Sequence, residues 1–393
     1  LKIHDTIINM TNPRTRILAF GFAALLLLPT LDQVFGFSGR FQNTENKQQN
    51  KRPELHFPHV RSFIKQFDPY YKENFGWRNA LFYAYSRWQF KGLKQSPLPE
   101  KVVVGKDGWF FLGDSYNNVV KQHRGLMPLS ADSARLIADH LTRRQAELAR
   151  QGIKLYVLIT PDSHSIYPEF LPDRLAHTKN PTRLDVLRQA VERQTRVPFI
   201  DLRDTLLAAK KDEVVYYQTD THWNDYGTLV GSAALLNRIR RDIPALRAVQ
   251  KSDFMMTKMR GGTGDLVRMM ALQDAIRDPL FYEIKPAAPV LARQIAEIPN
   301  TETGPKATGF PSTRFVGPTG PPDRGTPDRP TAPKLLFIGD SFSHSMMPLL
   351  AGYFREAYFA RSSFLNPTLV QQQKPNVVVF QIVERNLGWL GSI

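Results

Sequence analysis

From Ser130 onward, short apolar runs alternate with stretches of helical period, and this alternation restricts the chain more than any other feature. An amphipathic stretch through Leu136, Ile137, His140, Leu141 and Leu148 stops at Gly152 and is followed by a run of strand length, Lys154–Thr160. The spacing then predicts a helix over Thr182–Gln194, a strand over Val197–Leu202, a short helix, a strand over Val214–Gln218 and a helix from about Asp225 to Arg240. The C-terminal third adds apolar runs at Leu335 and Val377 with a helix between them. Such alternation argues for an α/β fold, a parallel sheet flanked by helices on both faces. Ligands of such sheets bind outside the carboxyl ends of the strands.

Two motifs fall at that edge. Leu335–Ile338 leads into Gly339-Asp340-Ser341 and then into an amphipathic segment with Met346, Leu349 and Leu350. This reads as a buried strand, a tight turn and a helix. A serine at the turn projects its hydroxyl above the strand end, and its own N–H and those of the new helix turn can face a developing oxyanion. A serine hydroxyl is a weak nucleophile until a neighbouring base takes its proton. The base expected here is His222, in Tyr-Gln-Thr-Asp-Thr-His-Trp. Asp220 lies two residues earlier, so in an extended segment both side chains share a face and the carboxylate can orient the imidazole. Rival residues exist. Gly113-Asp114-Ser115 repeats the tripeptide without a helix after it, and His344 is close to Ser341 but on the first helical turn. The loop Thr160–Ser165 also follows a strand, which makes His164 and Ser163 candidates for the rim of the site. Trp223 is expected either to pack behind the imidazole or to stack on a sugar. Arg385, at the end of the last strand, either joins an ion pair or grips a substrate carboxylate with two hydrogen bonds.

With the Asp-x-His-Trp element before the Gly-Asp-Ser element, the chain resembles the permuted SGNH-hydrolase-like proteins of the alginate O-acetyltransferase family. Ordinary SGNH esterases run in the opposite order, serine first. Further matching stretches are Val102–Phe111, Ile166-Tyr167-Pro168-Glu169, Gly264-Asp265-Leu266 and Val383-Glu384-Arg385, so the similarity extends from about Phe57 to Arg385. The resemblance implies O-acetylation of an extracytoplasmic polysaccharide through a Ser341, His222 and Asp220 triad. It also implies an acetyl donor supplied by a membrane-bound acyltransferase. A carbohydrate acetylesterase and a non-catalytic scaffold of a membrane acetylation complex are the alternatives, because transfer and hydrolysis use the same residues. No cofactor and no metal are expected: neither His-x-His nor His-Glu-x-x-His occurs.

Charge bounds the partner. With 52 Lys and Arg against 36 Asp and Glu, the formal net charge is +16, spread along the chain. Such a field favours an anionic partner. An acidic polysaccharide fits, whereas no nucleic-acid-binding motif and no basic cluster interleaved with aromatics is present. The absence of cysteine excludes disulfides and thiolate chemistry.

At the N-terminus, Arg14 and Arg16 precede an apolar run from Ile17 to Leu31 whose character continues to Phe37. A spanning helix needs about 20 residues. Val34-Phe35-Gly36-Phe37 lacks a small-x-small cleavage site, so 1–37 is expected to be an uncleaved signal anchor in the inner membrane. Residues 38–56 read as a polar tether and 57–393 as a periplasmic SGNH-like acetyltransferase domain. Within it, Val60–Phe90 is aromatic-rich and helical, and Lys101–Gly113 is a hairpin. Between about Phe281 and Lys334 the alternation lapses, and prolines and glycines from roughly Asn300 to Pro333 predict an extended or mobile insertion.

Overall fold

The computed structural model describes residues 13–42, 44, 50–58, 60–279, 281–298, 311–318 and 332–392. Two compact units are present, one formed by residues up to Leu98 with Val267–Ala275, the other by Pro99–Leu266 and Ile276–Ile393.

The first unit contains helices α1 (Pro13–Phe35), α2 (Val60–Asn74) and α3 (Arg78–Arg87). α1 is apolar and exposed along nearly its whole length, with Asp32 as its one buried residue. The Asp32 carboxylate accepts hydrogen bonds from Ser38 N–H and Oγ, both at 2.6 Å, and from Trp77 N–H at 2.7 Å. Those donors tie the last turn of α1 to the corner between α2 and α3. The corner lies so close that a Cβ on Gly76 would sit 2.1 Å from the Pro29 carbonyl oxygen. Among the described residues of the expected tether, Phe41 packs edge-on against Tyr83 and Asn50 donates to Glu73. Residues 43 and 45–49 lie outside the described residues.

The second unit opens with a hairpin of β1 (Val102–Val104) and β2 (Phe110–Leu112), as expected for Lys101–Gly113; Asp107 and Gly108 take positive φ at the turn. There follow α4 (Val119–His123), α5 (Ala131–Ala149), β3 (Lys154–Thr160), α6 (Ser163–Ile166), α7 (Arg183–Gln194), β4 (Phe199–Asp201), α8 (Arg203–Ala209) and α9 (Asp225–Asp242). β5 (Phe254–Met259), α10 (Asp265–Met269, whose last residues belong to the first unit), β6 (Phe281–Pro286), β7 (Arg293–Ile298) and β8 (Ser312–Val316) come next. The chain closes with β9 (Lys334–Gly339), α11 (Ser343–Ala351), β10 (Glu356–Arg361), α12 (Pro367–Gln373) and β11 (Val377–Val383). Local chemistry sets the helix starts: the Ser130 side chain accepts Ser133 N–H ahead of α5, and Thr182 and Asp185 form a reciprocal capping box ahead of α7.

The main sheet has the order β4-β3-β11-β9-β10-β8-β7. Its strands from β4 to β10 run parallel, whereas β8 and β7 add an antiparallel edge. Alternate strand residues divide between the two faces. Leu155, Val157, Ile159, Leu336, Ile338, Val378 and Phe380 pack with residues of α5 and α7. Tyr156, Leu158, Phe337 and Val379, equally buried, belong by alternation to the other face.

Two expectations are corrected. The sheet is mixed, because the segment expected to lack regular structure contributes β7 and β8; the part of the Pro/Gly-rich insertion that is described, 311–318, holds β8 between Pro311 and Pro318. Residues 299–310 and 319–331 lie outside the described residues. Val214–Gln218 does not join the sheet. Tyr216 makes one antiparallel bridge to Trp223, and Val215 donates its N–H to the Tyr167 hydroxyl, so backbone groups that would form a ladder with the sheet have other partners.

Candidate active site

β9, β11 and β3 are neighbours, and their carboxyl ends carry the turn at Ser341, the Glu384-Arg385 pair and the Asp162 loop. Gly339 is required where β9 ends: a Cβ there would meet Gln381 Oε1 at 2.6 Å and Ser343 Cβ at 2.7 Å. Gln381 is buried in β11, donates to Thr160 Oγ1 and accepts Asp340 N–H, so one amide links three strand ends. Asp340 fastens the turn from within. Its carboxylate accepts Phe342 N–H at 3.0 Å and Val383 N–H at 2.6 Å, while its carbonyl accepts Ser343 N–H and Oγ. The expectation that several N–H groups of the new helix turn face an oxyanion is therefore corrected, since those of Phe342 and Ser343 already serve Asp340.

A second loop brings in the other two groups. Its ends are held by the Tyr216 and Trp223 bridge and by Asn224 N–H donating to the Val215 carbonyl at 3.1 Å. Its tip bends, so Asp220 and His222 do not share a face through strand alternation. Instead the Asp220 Oδ1 accepts both His222 N–H at 3.0 Å and His222 Nδ1 at 2.7 Å, a local side-chain turn of the kind aspartate favours. The opposite imidazole nitrogen, Nε2, lies 2.8 Å from Ser341 Oγ. A carboxylate that holds Nδ1–H leaves Nε2 as the acceptor, and an acceptor at that distance can take the hydroxyl proton.

Two further aspartates shape this loop. Asp265 accepts Thr221 N–H at 2.8 Å and Thr221 Oγ1 at 2.7 Å, and its own N–H donates to Asp220 Oδ2 at 2.8 Å. Asp278 accepts Gln218 N–H at 2.7 Å, Thr219 N–H at 3.0 Å and the Thr219 hydroxyl at 2.5 Å. Burial alone would raise the Asp220 carboxyl, but the His222 hydrogen bond and charge outweigh it and hold the group below the usual carboxylate range. Burial alone would lower His222; the Asp220 hydrogen bond and charge, then the charge of Asp265, raise it above the ordinary imidazole value. Asp265 is raised by burial and then by Asp220. Asp220, His222 and Asp265 each bring a ligand-type atom within 4.8 Å of the others. Those carboxylate oxygens and Nδ1 are engaged in the hydrogen bonds above, so the cluster as it stands is a proton-holding network.

Of the residues singled out in the sequence, Ser341, His222 and Asp220 are brought together. Arg385 is committed to an ion pair with Asp162, reinforced by its N–H donating to Asp162 Oδ2 at 2.9 Å, and its guanidinium lies 5.6 Å from the centre of the Phe342 ring. It joins two strand ends rather than offering a free fork to a carboxylate. Trp223 is 2% exposed; its indole N–H donates to Ser345 Oγ and its ring packs edge-on against Phe342, so it supports the site and is not a sugar platform. His164 is 1% exposed, with Nε2 at 3.0 Å from the Leu112 carbonyl, and burial pushes it down to about 4. It is a buried histidine held in the core by the Leu112 carbonyl. His344 is exposed and makes no side-chain contact to Ser341 among the described residues. Sequence reasoning missed Asp265, Asp278 and Gln381 as organisers of the site. Only Gly264-Asp265-Leu266 left a signal, as a stretch shared with the resembled family.

A mostly parallel sheet flanked by helices, with a strand-turn-helix serine approached by a histidine that precedes it in the chain, defines a permuted SGNH-hydrolase-like protein. Residues 102–360 match the family described as ALGX, the SGNH hydrolase-like domain of acetyltransferase AlgX. With about two thirds of its residues inside that match, the chain belongs to this family. Similar curated proteins include the probable alginate O-acetylase AlgJ of Pseudomonas aeruginosa, 28% identical over 250 residues, 62% of this chain and 55% of the relative. The AlgJ of Pseudomonas fluorescens is 24% identical over 293 residues, 73% of this chain and 67% of the relative. Overall the chain spans about half the length of the curated relatives it matches. Among solved structures, Bacillus cereus PatB1 superposes with a TM-score of 0.54 at 13% identity, covering 73% of this chain and 96% of that one. That likeness is one of fold.

Proposed function

We propose that the chain is an O-acetyltransferase that modifies an extracytoplasmic polysaccharide, alginate or a similar anionic polymer, through an acetyl-serine intermediate. The observation that carries the reading is the continuous line of hydrogen bonds from Asp220 through His222 to Ser341 Oγ, at 2.7 and 2.8 Å. The family to which the chain belongs, and relatives whose name is alginate O-acetylase, support the acyl chemistry and the polymer class.

In the first step Ser341 Oγ attacks the carbonyl carbon of an acetyl ester while its proton passes to His222 Nε2. The tetrahedral oxyanion is met by the Ser341 N–H. Collapse breaks the bond to the leaving group, which departs with the proton from His222, and leaves acetyl-Ser341. In the second step a sugar hydroxyl gives its proton to the same Nε2 and attacks the acetyl carbon. Ser341 leaves, recovers the proton from His222, and the acetyl group ends on the sugar. Asp220 stabilises the imidazolium of both steps. General-base assistance contributes typically about 10²- to 10⁴-fold, and an oxyanion donor roughly 10²- to 10³-fold.

The apolar helix α1 fits a membrane anchor that keeps this unit on the periplasmic side, where a membrane-bound acyltransferase would supply the acetyl group. The test is mass spectrometry of uronic-acid and neutral oligosaccharides incubated with the full chain and a small activated acetyl ester. Acetyl mass gained by oligosaccharide, lost in Ser341→Ala and His222→Ala, is the expected result. Free acetate with no acetylated sugar would favour an esterase. Unchanged acetylation in cells carrying Ser341→Ala would overturn the catalytic reading in favour of a scaffold.

A further inference from the structure

The first unit carries an apolar surface that the acyl chemistry leaves unused. In α2, Val60, Phe63, Ile64, Phe67 and Tyr71 recur at helical spacing, and Arg61, Lys65 and Lys72 follow one flank of that stripe. A helix that packs into a core buries such a stripe. Here no residue of α2 is buried: Ile64 is 60% exposed, Phe67 38% and Tyr71 40%. The rings lie along the helix on one another, Phe63 on Phe67 at 5.4 Å, Phe67 on Tyr71 at 5.9 Å and Tyr71 on Phe75 at 6.1 Å. Among the described residues, this ladder of ring contacts runs along α2 and ends at Phe75, just past its last turn.

We propose that α2 lies in the surface of a lipid bilayer with this aromatic stripe among the acyl chains, a reading that rests on α1 as the spanning anchor. What selects a bilayer as occupant is the way α2 is joined to α1. Asp32, in the last turn of α1, accepts Trp77 N–H, and Gln33 Nε2 donates to the Asn74 carbonyl at 3.2 Å. Gly76 admits the Pro29 carbonyl where no side chain would fit. The C-terminal end of α2 is therefore held at the end of α1. An α1 of 23 residues is about 35 Å long at ~1.5 Å per residue, enough to cross a hydrocarbon core of about 30 Å. Its last turn then sits at the interface, and the attached end of α2 sits there with it. The composition of α2 is that of an interfacial helix, apolar on one face and strongly polar on the other, with long basic side chains on the flank whose heads can reach lipid phosphates. Lys72 is shared with Asp68 at 2.8 Å, which leaves Arg61 and Lys65 as the main contributors.

The chain has no cysteine, so single cysteines can be introduced into the full protein without background. Variants Ile64→Cys and Phe67→Cys on the stripe, Ser62→Cys and Gln66→Cys on the polar face, and Leu25→Cys in α1 would each carry an environment-sensitive nitrobenzoxadiazole label. They would be reconstituted in vesicles of phosphatidylethanolamine and phosphatidylglycerol. The expected result is blue-shifted emission, quenched by nitroxide-bearing lipids, at positions 64, 67 and 25, with water-like emission quenched by iodide at 62 and 66. Introducing Ile64→Glu into the Phe67→Cys protein should return the label at 67 to water while circular dichroism stays unchanged. Labels at 64 and 67 as wet as those at 62 and 66, with position 25 in lipid, would overturn the proposal. So would labels that are dry but insensitive to lipid nitroxides, because they would be covered by protein, a second copy included. A wet label at 25 would overturn the anchor itself, a separate failure from that of α2.

Discussion

Replacing Asp220 by asparagine tests the proposed proton path at the carboxylate that holds His222. Asp220 accepts three hydrogen bonds, from His222 N–H and Nδ1 on one oxygen and from Asp265 N–H on the other. An amide cannot accept on both sides. With its oxygen toward His222, the NH₂ group confronts Asp265 N–H and leaves that donor unpaired. With the NH₂ toward His222, it confronts His222 N–H and turns Nδ1 into an acceptor, so that Nε2 carries the proton and can no longer take one from Ser341. Either orientation strands a partly buried donor at a cost of about 1–3 kcal/mol. The kinetic loss is larger, because the imidazolium also loses its carboxylate: the same substitution in a serine-protease triad costs ~10⁴ in kcat, or about 5.4 kcal/mol. Turnover of the acetyl ester should fall by that order while near-ultraviolet circular dichroism stays unchanged. Asp220 is also the main charge that raises His222, so its removal lowers the imidazole pKa; more base form is then present, yet the loss should persist well above the His222 titration. A variant within about tenfold of the parent kcat would overturn this role for Asp220, since less than ~1.4 kcal/mol would then depend on it.

Asp265→Asn should move the acid limb of the kcat/KM profile to lower pH, because activity needs neutral His222 and the Asp265 charge raises its pKa; parallel pH–rate profiles read the shift. Gly264→Ala should lower both activity and melting temperature, since a Cβ there would meet the Thr219 carbonyl oxygen at 2.3 Å and Asp220 Cβ at 2.6 Å; strain of that kind typically costs about 1–3 kcal/mol. Burial, with the charge of Asp162 added, pushes Glu384 from 4.5 up to about 7, so the folded chain holds a proton that the unfolded chain releases between those values. Stability therefore falls as pH rises across that window, on the order of 3 kcal/mol from this group, and is not regained above it. Glu384→Gln keeps an oxygen to accept Asp162 N–H and Ser165 Oγ, and should flatten that fall in denaturation curves recorded across the window.

Short-range chemistry explains which features were legible in the sequence. Hydrophobic period separated β3, β9 and β11 from α5, α7 and α9, and capping residues such as Ser130 and Thr182 marked helix starts, because these signals act within a few residues. A serine after a buried strand, and an Asp-x-His element elsewhere, likewise named Ser341, His222 and Asp220 as the residues with nucleophile and base chemistry. The tertiary structure determined which groups meet. Val215 and Tyr216 have strand-forming side chains, yet Val215 N–H is taken by Tyr167, far away in sequence, and the segment becomes a loop. His164 has the right residue type at the right strand end, but the Leu112 carbonyl draws it into the core, and Asp162 similarly claims Arg385. Asp265 and Asp278 lie more than forty residues beyond the loop they hold. Residue type and local period depend on near neighbours and can be read along the chain. Burial, pairing of charges and the partner of each buried N–H depend on contacts between distant segments, and only folding brings those together.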